Sequence, residues 1–188
     1  GWGIVNPSPM HYILPMEPVK RIMLLHKDSP QPAAAACNLK PWLESRGVSS
    51  EVVCASAETM ELRATAAACD AVLVLGGDGT LVGAARRLAD IRTPLVGMNY
   101  GRVGFLTELP AMEKGDWETP LIDLIEGRWH RESHLTLHWR ILRREGEDWQ
   151  AVREGVAIND VVTAHGVVAR AVSLDLSING MHFSSLRC

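Results

Sequence analysis

The chain has 188 residues, 47% of them hydrophobic and 22% charged, and carries a formal net charge of -3 at pH 7. That length supplies one good core and part of a second. The slightly acidic balance offers no basic field for nucleic acid, and no apolar run approaches the roughly 18 residues that a membrane-crossing helix needs. Cys37, Cys54, Cys69 and Cys188 lie far apart, without a Cys-x-x-Cys pair or histidines at zinc spacing, the pattern of a reduced, cytoplasmic protein.

Residues 1–19 contain Pro7, Pro9, Pro15 and Pro18 and lack a basic start followed by an apolar core. They are predicted to be a disordered tail rather than a signal peptide, with Met10 or Met16 as the native start. From there strand and helix patterns alternate, which predicts right-handed βαβ units on a parallel sheet. Residues 21–26 form the first strand. Residues 32–46 read as a helix with a proline at its start and Gly47 at its end, kinked or split at Pro41. Residues 51–54 make a second strand and residues 58–69 a second helix.

Residues 71–80, Ala-Val-Leu-Val-Leu-Gly-Gly-Asp-Gly-Thr, are the most informative stretch. Five apolar residues predict a strand buried on both faces, and residues 81–89 read as a helix. Between them Gly76 and Gly77 allow a sharp turn and close approach to a ligand. Asp78 is thereby presented at the carboxyl edge of the sheet, with Thr80 as helix N-cap. Free N–H groups and the helix dipole favour an anion such as phosphate here. The plainer reading is a strand-to-helix turn in which Asp78 is only a cap. Residues 94–98 supply a further parallel strand, so Asp78 and the 99–107 loop should be neighbours at the edge where open α/β sheets bind ligands. A helix over 117–126 closes this α/β domain, residues 20–128.

Residues 129–188 change to period-two alternation, the start of an all-β sandwich domain. Strands are predicted at 134–143, 155–163, 172–178 and 181–184, with a turn at 145–148 and a hairpin at Asn179-Gly180. A sheet of this kind ending at Cys188 is expected to expose a strand edge and part of an apolar face. His130, His134 and His138 share a four-residue spacing that would make a metal face on a helix. On a strand the same spacing places them on its polar face.

The motif Gly76-Gly77-Asp78-Gly79-Thr80 together with Asn99-Tyr100-Gly101-Arg102-Val103-Gly104-Phe105-Leu106-Thr107 resembles the NAD kinase family. Gly-Gly-Asp-Gly-Thr alone is shared with diacylglycerol and sphingosine kinases and is close to that of phosphofructokinases; the Gly-Phe-Leu stretch narrows the resemblance. Asn159-Asp160-Val161-Val162 resembles the Asn-Glu or Asn-Asp element with which such kinases hold the dinucleotide. The resemblance runs from about residue 20 to the last and covers the first two-thirds or so of the family's length. It implies a Rossmann-like α/β domain followed by a β-sandwich, and transfer of a phosphoryl group from ATP or polyphosphate to the adenosine ribose 2'-hydroxyl of NAD.

On this resemblance Asp78 accepts the hydroxyl proton and Gly79 lies against the dinucleotide. Gly76, Gly77, Gly79 and Thr80 form the phosphate loop. Phe105 lines the adenine pocket, where plain core packing is the alternative. Asn159 and Asp160 contact adenine and ribose, the alternative being a bulge at a sheet edge. Arg170 and Arg187 match arginines near the bound dinucleotide; either could be a solvated charge. Mg²⁺ is expected to travel with the nucleotide rather than in a protein cage, and a homo-oligomer is implied. The competing functions are a lipid kinase of the diacylglycerol type and a non-catalytic dinucleotide-binding module.

Overall fold

In the computed structural model the described residues are 16–102, 104–158, 160–162 and 173–187. The first half forms a five-stranded parallel sheet: β1 (Arg21–His26), β2 (Ser49–Cys54), β3 (Ala71–Gly76), β4 (Leu95–Asn99) and the two-residue β5 (Leu109–Pro110). Their order is β2-β1-β3-β4-β5. Neighbour order reverses between β1 and β3, which pair from Ile22 with Ala71 to His26 with Leu75. Such a switch point opens a crevice beyond the carboxyl ends of the two strands.

Side chains alternate across each strand, so the sheet has two cores. Ile22, Leu24, Leu73, Leu75 and Met98 pack on α1 (Pro30–Glu44) and α4 (Glu118–Ile125). Met23, Leu25, Val53, Val72 and Val74 pack on α2 (Thr59–Ala67) and α3 (Asp78–Arg87). All six residues of β3 are buried, as its unbroken apolar run predicts. Trp42 and Trp117 meet at a ring-centroid distance of 5.1 Å against the first core, and the Arg46 guanidinium lies over the Trp42 ring.

Several expectations are corrected. The first helix starts two residues earlier than predicted and runs continuously through Pro41. Pro41 stands in its last turn, where the missing N–H removes one bond while its own carbonyl still accepts from Ser45 at 3.0 Å. Residues 16–19, expected as the end of a tail, are held instead. Met16 N–H donates to Gly127 O and Val19 N–H to Ile125 O, and Val19 is buried. The short strand β5 carries no sequence signal; it forms because residues 107–110 are drawn alongside β4.

Beyond α4 the described residues form two antiparallel hairpins in separate two-stranded sheets, β6 (Leu137–Glu145) with β7 (Asp148–Ala157), and β8 (Ser173–Ile178) with β9 (Met181–Arg187). Asn179 and Gly180 both have positive φ, 53° and 79°, the geometry of a type I′ hairpin turn. The strand expected over 155–163 ends at Ala157; Ile158 and residues 160–162 are outside any strand. His130 and His134 precede β6, and only His138 lies in it. Leu137, Ile141, Leu174 and Phe183 stand exposed on the hairpins, the apolar face expected from the alternation. No helix among the described residues is long and apolar enough to cross a membrane.

Candidate functional site

At the carboxyl end of β3 the chain passes through Gly77 into α3, whose first residue is Asp78. The helix therefore starts before Thr80, which is not its N-cap. Gly77 holds that place without a side-chain cap, and its carbonyl accepts from Thr80 N–H at 2.9 Å and Leu81 N–H at 3.2 Å. The Asp78 and Gly79 N–H groups have no intrahelical acceptor. The glycines also serve a different purpose from the expected sharp turn. A Cβ at Gly76 would lie 2.5 Å from the Thr80 hydroxyl, and one at Gly77 would meet the Gly101 Cα at 3.4 Å. They admit close packing of Thr80 and of the 99–107 loop. At Gly79 a Cβ would meet nothing, so that position faces open space.

The predicted neighbourhood of Asp78 and the 99–107 loop is observed. Tyr100 N–H donates to Gly76 O at 2.9 Å, and the Asn99 Oδ1 accepts from Gly101 N–H at 2.8 Å. The half-buried Asp78 carboxylate accepts three hydrogen bonds: Phe105 N–H to Oδ2 at 2.9 Å, Leu106 N–H to Oδ1 at 3.2 Å and the Thr107 hydroxyl to Oδ1 at 3.3 Å. These donors, Phe105 N–H foremost, hold its pKa below the ordinary aspartate value against a smaller opposing effect of burial. The Phe105 ring projects from this loop 89% exposed, which excludes the core-packing role.

On the other flank of α3 lies a cavity of about 350 Å³ lined by Lys27, Gly79, Thr80, Gly83, Arg86 and Arg87 among others. Lys27 directly follows β1, so the cavity sits at the switch point. Its three cations differ in what they already hold. The Arg87 guanidinium donates to Ala55 O at 2.7 Å, Ala57 O at 2.5 Å and Thr59 Oγ1 at 3.1 Å, clamping the segment after β2. Arg63 in turn donates to Arg87 O and to both oxygens of Asp90. Lys27 and Arg86 make no side-chain hydrogen bond or ion pair among the described residues. Two uncommitted cations lining one cavity, Lys27 after β1 and Arg86 in the last turn of α3, can take an anionic group with charge-assisted hydrogen bonds.

Of the predicted residues the structure brings together Gly76, Gly77, Asp78, Gly79, Thr80 and Phe105. Asp160 and Arg187 are exposed, the latter on β9, and no hydrogen bond among the described residues ties either to the Asp78 loop. Asn159 and Arg170 lie outside the described residues. Lys27, Arg86 and Thr107 were not foreseen. A signal for Lys27 exists, since it ends the first apolar strand just before Asp28-Ser29-Pro30, whereas nothing in Arg86-Arg87 separates the free cation from the clamp. No three His, Cys, Asp or Glu side chains among the described residues gather as a metal-binding group.

A doubly wound parallel sheet, with a glycine-framed carboxylate beyond the end of β3 and a cation-lined cavity at its switch point, defines an open α/β protein. The family model of the ATP-NAD kinase N-terminal domain matches residues 22–128. The chain belongs to the NAD kinase family. It is 39% identical over 173 residues to an NAD kinase of Nitratidesulfovibrio vulgaris strain DP4, covering 92% of this chain and 56% of that protein. It is 30% identical to one of Lawsonia intracellularis, at 92% and 58% coverage, and 40% identical over 144 residues to one of Azoarcus sp. strain BH72, at 74% and 45%. The chain thus spans 56% and 58% of the first two relatives and 45% of the third. Membership of this family sets aside the lipid-kinase alternative.

Proposed function

We propose that the protein, at its full length, phosphorylates the 2'-hydroxyl of the adenosine ribose of NAD to give NADP, with ATP or polyphosphate as donor. The observation that carries this reading is the Asp78 carboxylate, held by the 105–107 segment beyond the carboxyl end of β3, with the Lys27 and Arg86 cations across α3 at the switch point. Asp78 receives the ribose hydroxyl and aims its oxygen at the donor. Its depressed pKa makes it a weak base, which suits a loose phosphoryl-transfer transition state in which alignment precedes proton loss. The hydroxyl proton passes to the carboxylate as the new O–P bond forms and the bond from the γ-phosphorus to the bridging oxygen breaks.

Lys27, Arg86 and the first N–H groups of α3 take the donor phosphates, while Arg87 keeps the cavity wall in place. The donor phosphates, rather than protein carboxylates, would hold Mg²⁺, being the hard oxygen ligands it prefers, and the ion would neutralise charge there. The exposed Phe105 ring offers a stacking face to adenine. Gly79 leaves room for the dinucleotide, and Asn159, Asp160, Arg170 and Arg187 complete its contacts as the family resemblance implies. We further place the protein in the cytoplasm as a homo-oligomer.

Transfer of phosphate from ATP to NAD is assayed on the 188-residue chain and on the longest reading frame that contains it. NADP from either supports the reading, and none from both refutes it. In the active form, Lys27→Ala and Arg86→Ala are expected to raise KM for ATP about 10-fold or more, the size of a lost hydrogen bond to a charged group. KM for NAD should stay within a factor of about two. An equal rise for both substrates would remove the cavity from the donor site.

A further inference from the structure

The Thr107 side chain sits between two glycines, Gly97 and Gly104. Its methyl lies toward Gly97 of β4, where a Cβ would come within 2.8 Å of the Thr107 Cγ2 and 2.9 Å of its Cα. Its hydroxyl lies toward Gly104, where a Cβ would come within 2.1 Å of Oγ1. Two glycines thus form a niche with a methyl side and a hydroxyl side. A β-branched residue, stiff at χ1, fits there with its hydroxyl on Asp78 Oδ1 at 3.3 Å.

The lone pairs of the carboxylate make this orientation consequential. An ionised carboxylate has about four acceptor sites, two on each oxygen. Oδ1 takes the Leu106 N–H and the Thr107 hydroxyl, while among the described residues Oδ2 takes only the Phe105 N–H. Among the described residues no donor takes the second site on Oδ2. Resting on the kinase reading above, we infer that Thr107 is a positioning residue: its hydroxyl fills Oδ1, so that the substrate hydroxyl meets Asp78 on Oδ2 and in one orientation. Loss of the hydroxyl frees a second acceptor site and lets the sugar bind in an unproductive as well as a productive pose. The outcome is lower turnover without weaker binding.

The test compares Thr107→Val, which keeps the shape and loses the donor, with Thr107→Ser, which keeps the donor and loses the methyl. In the full-length protein Thr107→Val is expected to lower kcat about 10-fold with KM for NAD within about 3-fold, and Thr107→Ser to hold kcat within about 3-fold of the parent. Parental turnover in Thr107→Val overturns the inference. So does a Thr107→Ser as slow as Thr107→Val, because the role would then be packing in the glycine niche. A parent protein that makes no NADP refutes the kinase reading instead. In that case the Asp78 carboxyl is followed by ¹³C NMR across an acid titration. The causes of its shift are hydrogen bonds and burial, with no charged side chain among them, so Thr107→Val raises its midpoint and Thr107→Ser does not; equal midpoints in all three proteins overturn the positioning role.

Discussion

Gly97→Ala is the sharpest test of how the loop is held against the sheet. The added methyl would stand 2.8 Å from Thr107 Cγ2, 2.9 Å from Thr107 Cα and 3.1 Å from Leu81 Cδ2. The Leu81 side chain can turn away, but the Thr107 Cα is backbone, and the adjacent Glu108 N–H is bonded to Gly97 O at 3.0 Å. Restoring ordinary contact means moving the loop by about half an ångström. The Leu106 and Thr107 bonds to Asp78 start at 3.2 and 3.3 Å, so that displacement carries both past useful hydrogen-bond length. Overpacking costs about 1–3 kcal/mol, offset by a few tenths to about 1 kcal/mol for replacing a strand glycine with alanine. Mid-range values, about 2 kcal/mol less about 0.6 kcal/mol, leave about 1.4 kcal/mol; at about 4–8 °C per kcal/mol for a domain of about 100 residues, the melting temperature followed by tryptophan fluorescence should fall by roughly 6–11 °C. Turnover should fall with it. A variant melting within about 1 °C of the parent would show that the loop yields freely and that its contacts do not fix Asp78.

Two further outcomes are expected. Asp78→Asn should cut turnover at least about 100-fold while leaving NAD affinity within a few-fold; stopped assays and equilibrium binding separate the two, and near-normal turnover would take Asp78 out of the reaction. Asp78, Asp90 and Asp116 all have pKa values lowered by hydrogen bonds, chiefly from Phe105 N–H, the Arg63 side chain and Thr119 N–H respectively. Because the folded state binds these protons less readily than the unfolded chain, their stabilisation is complete above the ordinary aspartate pKa of about 3.9 and is lost as pH falls through the lowered values. The urea midpoint should be flat from pH 7 to about 5, then fall, less steeply in Asp78→Asn; identical acid limbs would contradict the cited bonds at Asp78.

The amino-acid sequence alone determined the alternation of strands and helices in the first half, because a buried parallel strand such as β3 must be continuously apolar. It also determined the change to period two near residue 130 and the hairpin turn at Asn179-Gly180, where local backbone chemistry suffices. The motif around Asp78 was legible for the same reason: its residues are contiguous and follow a strand that announces itself.

What each residue of that motif touches was decided only by tertiary structure. Gly76 and Gly77 are small because Thr80 and Gly101 press on them, and Thr107 is oriented by Gly97 and Gly104. Arg86 and Arg87 are chemically identical neighbours, yet one is committed to the carbonyls after β2 and the other faces the cavity. Helix phase and the path of a loop from another strand separate them, and both are set by long-range packing that no local pattern encodes.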